Sequence, residues 1–210
     1  SGAHGTFRLL KGRGQNYMRT GEVKRRTRET QISVEVNLDG GNSSIVTGIG
    51  FFDHMLNALA THGSFGLKVN AVGDLEVDCH HTVEDTGIVL GQAFAKALGD
   101  KSGIARYGSF FVPMDEALAF ASVDVSGRPF LVFDGNFPEE QVGGFDTCMC
   151  KEFFRAFAFA AGLTLHVKVL YGENSHHMIE AAFKAAAHAL KVACAVTDGK
   201  TALSTKGSLD

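Results

Sequence analysis

The sequence predicts an α+β fold made of internally duplicated halves, each a β-sheet packed on helices, together forming a sheet/helix layered domain. Three observations carry this expectation. Stretches of alternating polar and apolar residues are interspersed with longer stretches whose apolar residues have helical spacing. The succession strands, helix, strand, helix occurs twice. The pattern His-His-x-x-Glu also occurs twice, at His80-His81-Thr82-Val83-Glu84 and His176-His177-Met178-Ile179-Glu180, each where a helix should begin.

Along the chain, Thr30 to Leu38 alternates and reads as a half-buried strand, with Asp39-Gly40-Gly41-Asn42 as the turn after it. Phe51 to Ser64 has helical spacing. Leu67 to Val77 reads as two strands around Gly73-Asp74. Thr82 to Leu98 is a helix stopped by Gly99-Asp100. Leu118 to Val125 and Pro129 to Phe133 are strands joined by Ser126-Gly127-Arg128. Cys148 to Ala161 is a helix, Leu163 to Leu170 a strand, and His176 to Ala195 a long Ala-rich helix. The Phe stripe from Phe153 to Phe159 reads as core.

The duplication extends beyond the motifs. His54 to Ala60 lies over Glu152 to Ala158 at an offset of 98 residues, and the two motifs align at an offset of 96 after a two-residue deletion. Glu29 to Gly40 lies over Glu116 to Gly127. The halves run from about 21–105 and 106–207, within one domain at 18–210. Residues 1–17 are small, basic and aperiodic, and are expected to be a disordered extension or a remnant preceding a start at Met18.

The motifs point to metal. Positions i and i+4 share one helical face, so His80 with Glu84, and His176 with Glu180, can each grip one ion. The adjacent His81 and His177 point about 100° away and are free to reach a second ion. His54 and Glu152 are partners in the repeat, which would give each half a fourth ligand. Lys184 lies on the same face as His176 and Glu180, and Arg106, Arg128, Lys184 and the tail Ser204-Thr205-Lys206-Gly207 suit a phosphorylated substrate.

Composition sets the bounds. A chain of 210 residues with 45% hydrophobic content can bury one sizeable core. Its net charge of −3 gives no general pull toward nucleic acid or acidic membranes, and no apolar run reaches the length of a membrane span. The four cysteines lack zinc-finger spacing and read as reduced thiols. The expected location is cytoplasmic, or a plastid if a transit peptide was removed.

Phe52-Asp53-His54-Met55, Asp78 to Asp85 and Asn174 to Ala181 resemble the motifs of the imidazoleglycerol-phosphate dehydratase family. So do Arg25 to Thr30, Asp115-Glu116-Ala117-Leu118, Ser126-Gly127-Arg128-Pro129 and Ser204 to Gly207, so that the likeness runs from about Gly21 to Gly207. The resemblance implies a hydro-lyase of histidine biosynthesis that converts imidazole glycerol phosphate to imidazole acetol phosphate. It implies two Mn2+ ions per active site and a 24-subunit homo-oligomer with active sites between subunits. It places His54, His80, Glu84 and His177 on one ion, and His81, Glu152, His176 and Glu180 on the other. Glu152 stands where many members carry His. Cys79 stands where an acid often occurs, close to the metal but not on it. Glu29, His62, Arg106, Arg128, Lys184, Ser204 and Lys206 match the substrate-binding set.

The reaction removes a proton from an unactivated C–H beside an imidazole, and an imidazolate intermediate between two cations is the expected electron reservoir. Glu29, His80, His81 and Glu180 are the candidate catalytic residues, with Glu29 as the base. A two-metal hydrolase of a small phosphorylated substrate is the alternative. A metal-storage shell is a further one, and it would leave the Arg/Lys set and the tail without a task.

Overall fold

The structure is a computed structural model and describes residues 18–197. Residues 1–17 and 198–210, the latter including the substrate candidates Ser204 and Lys206, lie outside the described residues.

The first half runs β1 (Thr20–Arg26), β2 (Thr30–Asn37), β3 (Ser44–Val46), α1 (Gly50–Gly63), β4 (Gly66–Gly73) and α2 (His80–Leu98). The second runs β5 (Tyr107–Met114), β6 (Ala117–Asp124), β7 (Phe130–Asp134), a small hairpin of β8 (Gln141–Val142) and β9 (Phe145–Asp146), then α3 (Met149–Ala161), β10 (Thr164–Tyr171) and α4 (Ser175–Ala193). The sheet orders are β1-β2-β4-β3 and β5-β6-β10-β7. In each, the third strand of the half pairs parallel with the fourth and the other pairings are antiparallel. The two halves therefore share one topology, with β8–β9 as an insertion in the second.

Local chemistry explains the elements. In β2 the alternation puts Ile32, Val34 and Val36 in the core and leaves Gln31 and Glu35 exposed. Helices α1 and α3 both end on a residue in the left-handed conformation, Ser64 (φ 57°) and Gly162 (φ 68°), whose N–H turns back onto the last carbonyls. Helix α2 packs on β1 and β2 and faces α3, while α4 packs on β5 and β6 and faces α1. Each half thus has its sheet on one side and its helices on the other, and the halves meet through their helices. The seam is filled by buried aromatic side chains. Phe153 stacks on Phe183 at 5.1 Å between ring centroids, and Phe52 meets Phe153 edge-on at 5.4 Å. The Phe stripe of α3 is core, as its spacing predicts, except for Phe159, which is exposed.

One expectation changes. Residues 67–77 hold one strand, not two. After Gly73 the chain forms a turn in which the Val77 N–H donates to the Asp74 carbonyl at 2.9 Å. Leu75 and Val77 are exposed, so their alternation serves no sheet. The strands joined by Ser126–Arg128 do not pair with each other, because β10 inserts between β6 and β7.

Candidate metal and substrate site

Local hydrogen bonds fix both motifs on first turns, a turn contact before α2 and a side-chain cap on α4. The His80 N–H donates to Asp78 Oδ1 at 2.7 Å, and Asn174 Oδ1 accepts the His177 N–H at 3.2 Å. Helical geometry then sets the pairs. His80 Nε2 lies 3.3 Å from Glu84 Oε2, and His176 Nε2 lies 3.2 Å from Glu180 Oε2.

Packing of α1 against α4 adds His54, whose Nε2 is 3.4 Å from Glu180 Oε2. The ligand atoms of His54, His176 and Glu180 all lie within 4.8 Å of one another, and this is the one such three-residue group among the described residues. Phe51 buttresses it, with its ring 4.9 Å from that of His176. Asp53 anchors the start of α1 by accepting the N–H and hydroxyl of Thr47.

The grouping differs from the partition that the family likeness implies, which sets His54 apart from His176 and Glu180. Within one chain α1 lies on α4, so His54 meets the second motif. The pseudo-equivalent packing is that of α3 on α2, but there the Glu152 carboxylate pairs with Arg155 at 3.6 Å and joins no cluster with His80 and Glu84 among the described residues.

The donors are imidazole nitrogen and carboxylate oxygen. The sulfur of Cys79 is buried and accepts the Asp146 N–H at 3.4 Å. Such an N/O set suits manganese, iron or zinc. Burial opposes ionisation of Glu180, yet the Lys184 ammonium, 2.7 Å from Oε1, and His54 outweigh it and hold the carboxyl below its ordinary value. The carboxylate is thus charged and ready to ligate.

The odd histidines have carboxylate partners. His81 Nδ1 is 2.9 Å from Asp74 Oδ2, and His177 Nδ1 is 2.7 Å from Glu116 Oε2. The hydrogen bonds with Asp74 and Glu116 raise the pKa of His81 and His177 respectively. Glu116 is brought down to about 2 by His177 and by the backbone N–H groups of Asn174 and Glu173.

Glu29 sits on the turn between β1 and β2, where Thr27 Oγ1 accepts its N–H at 3.1 Å. The Thr30 hydroxyl donates to buried Asp85, which also pairs with Arg25, so the turn is tied to α2. Among the substrate candidates, Arg106 makes a two-point contact with Asp124 (2.7 and 3.1 Å) and stacks on Tyr107. Arg128 projects exposed from its turn. His62 Nδ1 lies 3.1 Å from His188 Nε2, and burial, Lys184 and His188 lower its pKa. Lys184 is engaged by Glu180. Sequence reasoning missed His188 altogether, and it read Asp74 only as a turn residue and Asp85 only as the last letter of a motif. Glu116 was seen only as a motif letter, although its alignment with Glu29 was a usable signal.

A sequence profile of imidazoleglycerol-phosphate dehydratase matches residues 47–190. The chain belongs to the imidazoleglycerol-phosphate dehydratase family. The dehydratase of Thermoanaerobacter pseudethanolicus is 60% identical over 194 residues, covering 91% of this chain and all of the relative. That of Acetivibrio thermocellus is 59% identical over 190 residues, covering 90% and 97%. The crystal structure of imidazoleglycerol-phosphate dehydratase from Staphylococcus aureus superposes with a TM-score of 0.78 at 42% identity, covering 85% of this chain and 99% of that one. The Pyrococcus furiosus enzyme, crystallised with (S)-C348, gives 0.77 at 39%, covering 89% and 100%. Membership of the dehydratase family makes the chain a hydro-lyase, and its α+β fold is the fold of these neighbours. No helix among the described residues is long and apolar enough to cross a membrane.

Proposed function

We propose that the chain dehydrates imidazole glycerol phosphate to imidazole acetol phosphate in histidine biosynthesis, with two Mn2+ ions per active site and an imidazolate form of the substrate. The observation that carries this reading is the convergence of His54, His176 and Glu180 in a chain of this family. The internal duplication supports a second position built from His80, Glu84 and Glu152, with His81 and His177 each reaching across to complete a site. When bound, the ions supply Lewis acidity that lowers the cost of deprotonating the substrate's ring.

The rest falls to the chain. Lys184 balances the charge on Glu180 and keeps it ionised. Glu29, held by Thr27 beside α2, accepts the proton from the second carbon of the side chain, while the hydroxyl on the ring-bearing carbon leaves as water and the resulting enol tautomerises to the ketone. Arg128 and Arg106 hold the phosphate, with Ser204 and Lys206 as further candidates outside the described residues, and His62 lines the approach. Fixing the remote phosphate restricts the side chain and positions the ring. Asp124 already neutralises Arg106, so Arg128 is the stronger phosphate anchor of the two.

Self-association into a 24-subunit shell completes the proposal. It is supported by Tyr107, Phe111, Phe130 and Tyr171, large apolar side chains left exposed on the second half.

One sample tests the function. Manganese per chain is measured together with the products formed from imidazole glycerol phosphate. The expected result is an enolisable ketone and about two ions per chain. Release of inorganic phosphate instead would favour hydrolysis and sink the assignment.

A further inference from the structure

The duplicated halves carry matching carboxylates that hold different partners. Glu29 and Glu116 each precede the second strand of their half. Asp74 and Glu173 also match. Gly73 and Gly172, which precede them, leave no room for a Cβ against equivalent neighbours: Thr82 and Thr30 in one half, Met178 and Ala117 in the other. A bulge between Val169 and Tyr171 accounts for the one-residue change of offset. The N–H that follows each glycine meets the matching glutamate, at its backbone carbonyl in one half and at its carboxylate in the other. The Asp74 N–H donates to the Glu29 carbonyl at 3.1 Å, and the Glu173 N–H donates to Glu116 Oε1 at 3.0 Å.

The side chains have divided the work differently. In the first half Asp74 takes His81, while the Glu29 carboxylate makes no hydrogen bond or ion pair to a described residue. In the second half Glu116 takes His177 and Glu173 stands exposed. A histidine whose Nδ1–H is held by a carboxylate has its lone pair on Nε2, the nitrogen that can take a metal; at His177 that nitrogen faces the exposed Asp115 Oδ2 at 3.4 Å, a contact that a metal would replace.

We propose that Asp74 and Glu116 are positioning residues that lock His81 and His177 with hydrogen on Nδ1 and Nε2 free to ligate, and that Asp74 doing so in the first half is what leaves Glu29 available as a base. The inference rests on the reading of His81 and His177 as ligands.

Glu116→Gln is the decisive variant. Its amide oxygen is required by the N–H groups of Glu173 and Asn174, so its NH2 must face His177 Nδ1 and drive the ring hydrogen to Nε2. Two readouts are taken on the full-length protein. One is Mn2+ affinity from the free-ion paramagnetic resonance signal. The other is the histidine tautomer from solid-state 15N NMR of the metal-free protein.

The expected result is about 10- to 100-fold weaker Mn2+ binding with the His177 hydrogen moved to Nε2. Asp74→Ala, an independent variant in the other half, should weaken binding similarly and free the His81 tautomer. Glu173→Gln should change neither readout. Unchanged affinity and tautomer in both Glu116→Gln and Asp74→Ala would overturn the inference. If instead His177→Ala and His81→Ala bind Mn2+ as the parent does, the ligand reading itself fails and takes the inference with it.

Discussion

Gly21 and Gly108 occupy the same place in the two halves, each where a strand meets the backbone of a helix. A Cβ on Gly21 would strike the carbonyl of Ala93 in α2, and one on Gly108 would strike the carbonyl of Ala189 in α4. The obstacle is helix backbone, which cannot swing aside as a side chain could. Each Gly→Ala change should therefore cost about 1–3 kcal/mol, and by similar amounts in the two halves. Denaturant unfolding of the single variants measures it. A midpoint equal to the parent's would show that the helix can lift from its sheet at little cost.

Asp39 should make stability depend on pH. Burial alone would raise its carboxyl, but the Arg19 side-chain and backbone N–H groups and the Arg19 charge prevail and lower it. A folded value below the unfolded one stabilises above the unfolded pKa, and that share is lost as pH falls through the folded value. Arg19 also donates to the Cys194 carbonyl at 2.6 Å, so the pair ties the first strand to the end of α4. Asp39→Asn should cost no more than about 1 kcal/mol at pH 7 after solvent screening, and the gap should close at acid pH. A gap that widened on acidification would reverse the sign and refute the account.

Glu29→Gln should leave manganese content intact and lower kcat by about 10²- to 10⁴-fold, the usual worth of a general base. Parallel metal analysis and steady-state kinetics give the answer. Near-normal turnover removes Glu29 from the mechanism.

Glu152→His should keep a metal at the site and move its preference from Mn2+ toward Zn2+, since imidazole is a softer ligand than carboxylate. Competition binding of the two ions to the variant and parent decides it. An unaltered preference would place Glu152 off the metal, in keeping with its contact with Arg155.

Arg128→Ala should raise KM by about tenfold or more, the effect of losing one charge-assisted contact to phosphate, with little change in kcat. Initial rates over a range of substrate concentrations test this, and an unchanged KM puts Arg128 outside the phosphate site.

Much of this protein was legible in the chain. The i, i+4 spacing of His80 with Glu84, and of His176 with Glu180, determined those pairs, because a helix brings such positions together whatever surrounds it. Periodicity located the four helices and five of the ten strands (β2, β4, β6, β7 and β10) to within a few residues, and the repeat foretold two halves of one topology. It failed at Leu75 and Val77, where alternation came without burial.

What only the tertiary structure decided was who faces whom. Periodicity reports that a face is apolar but not which element covers it. Packing of α1 on α4 put His54 beside Glu180, 126 residues away. Packing also brought Glu116 to His177 across 61 residues. It likewise set β10 between β6 and β7. Contacts between distant side chains arise from the whole arrangement of layers, and no local pattern encodes them.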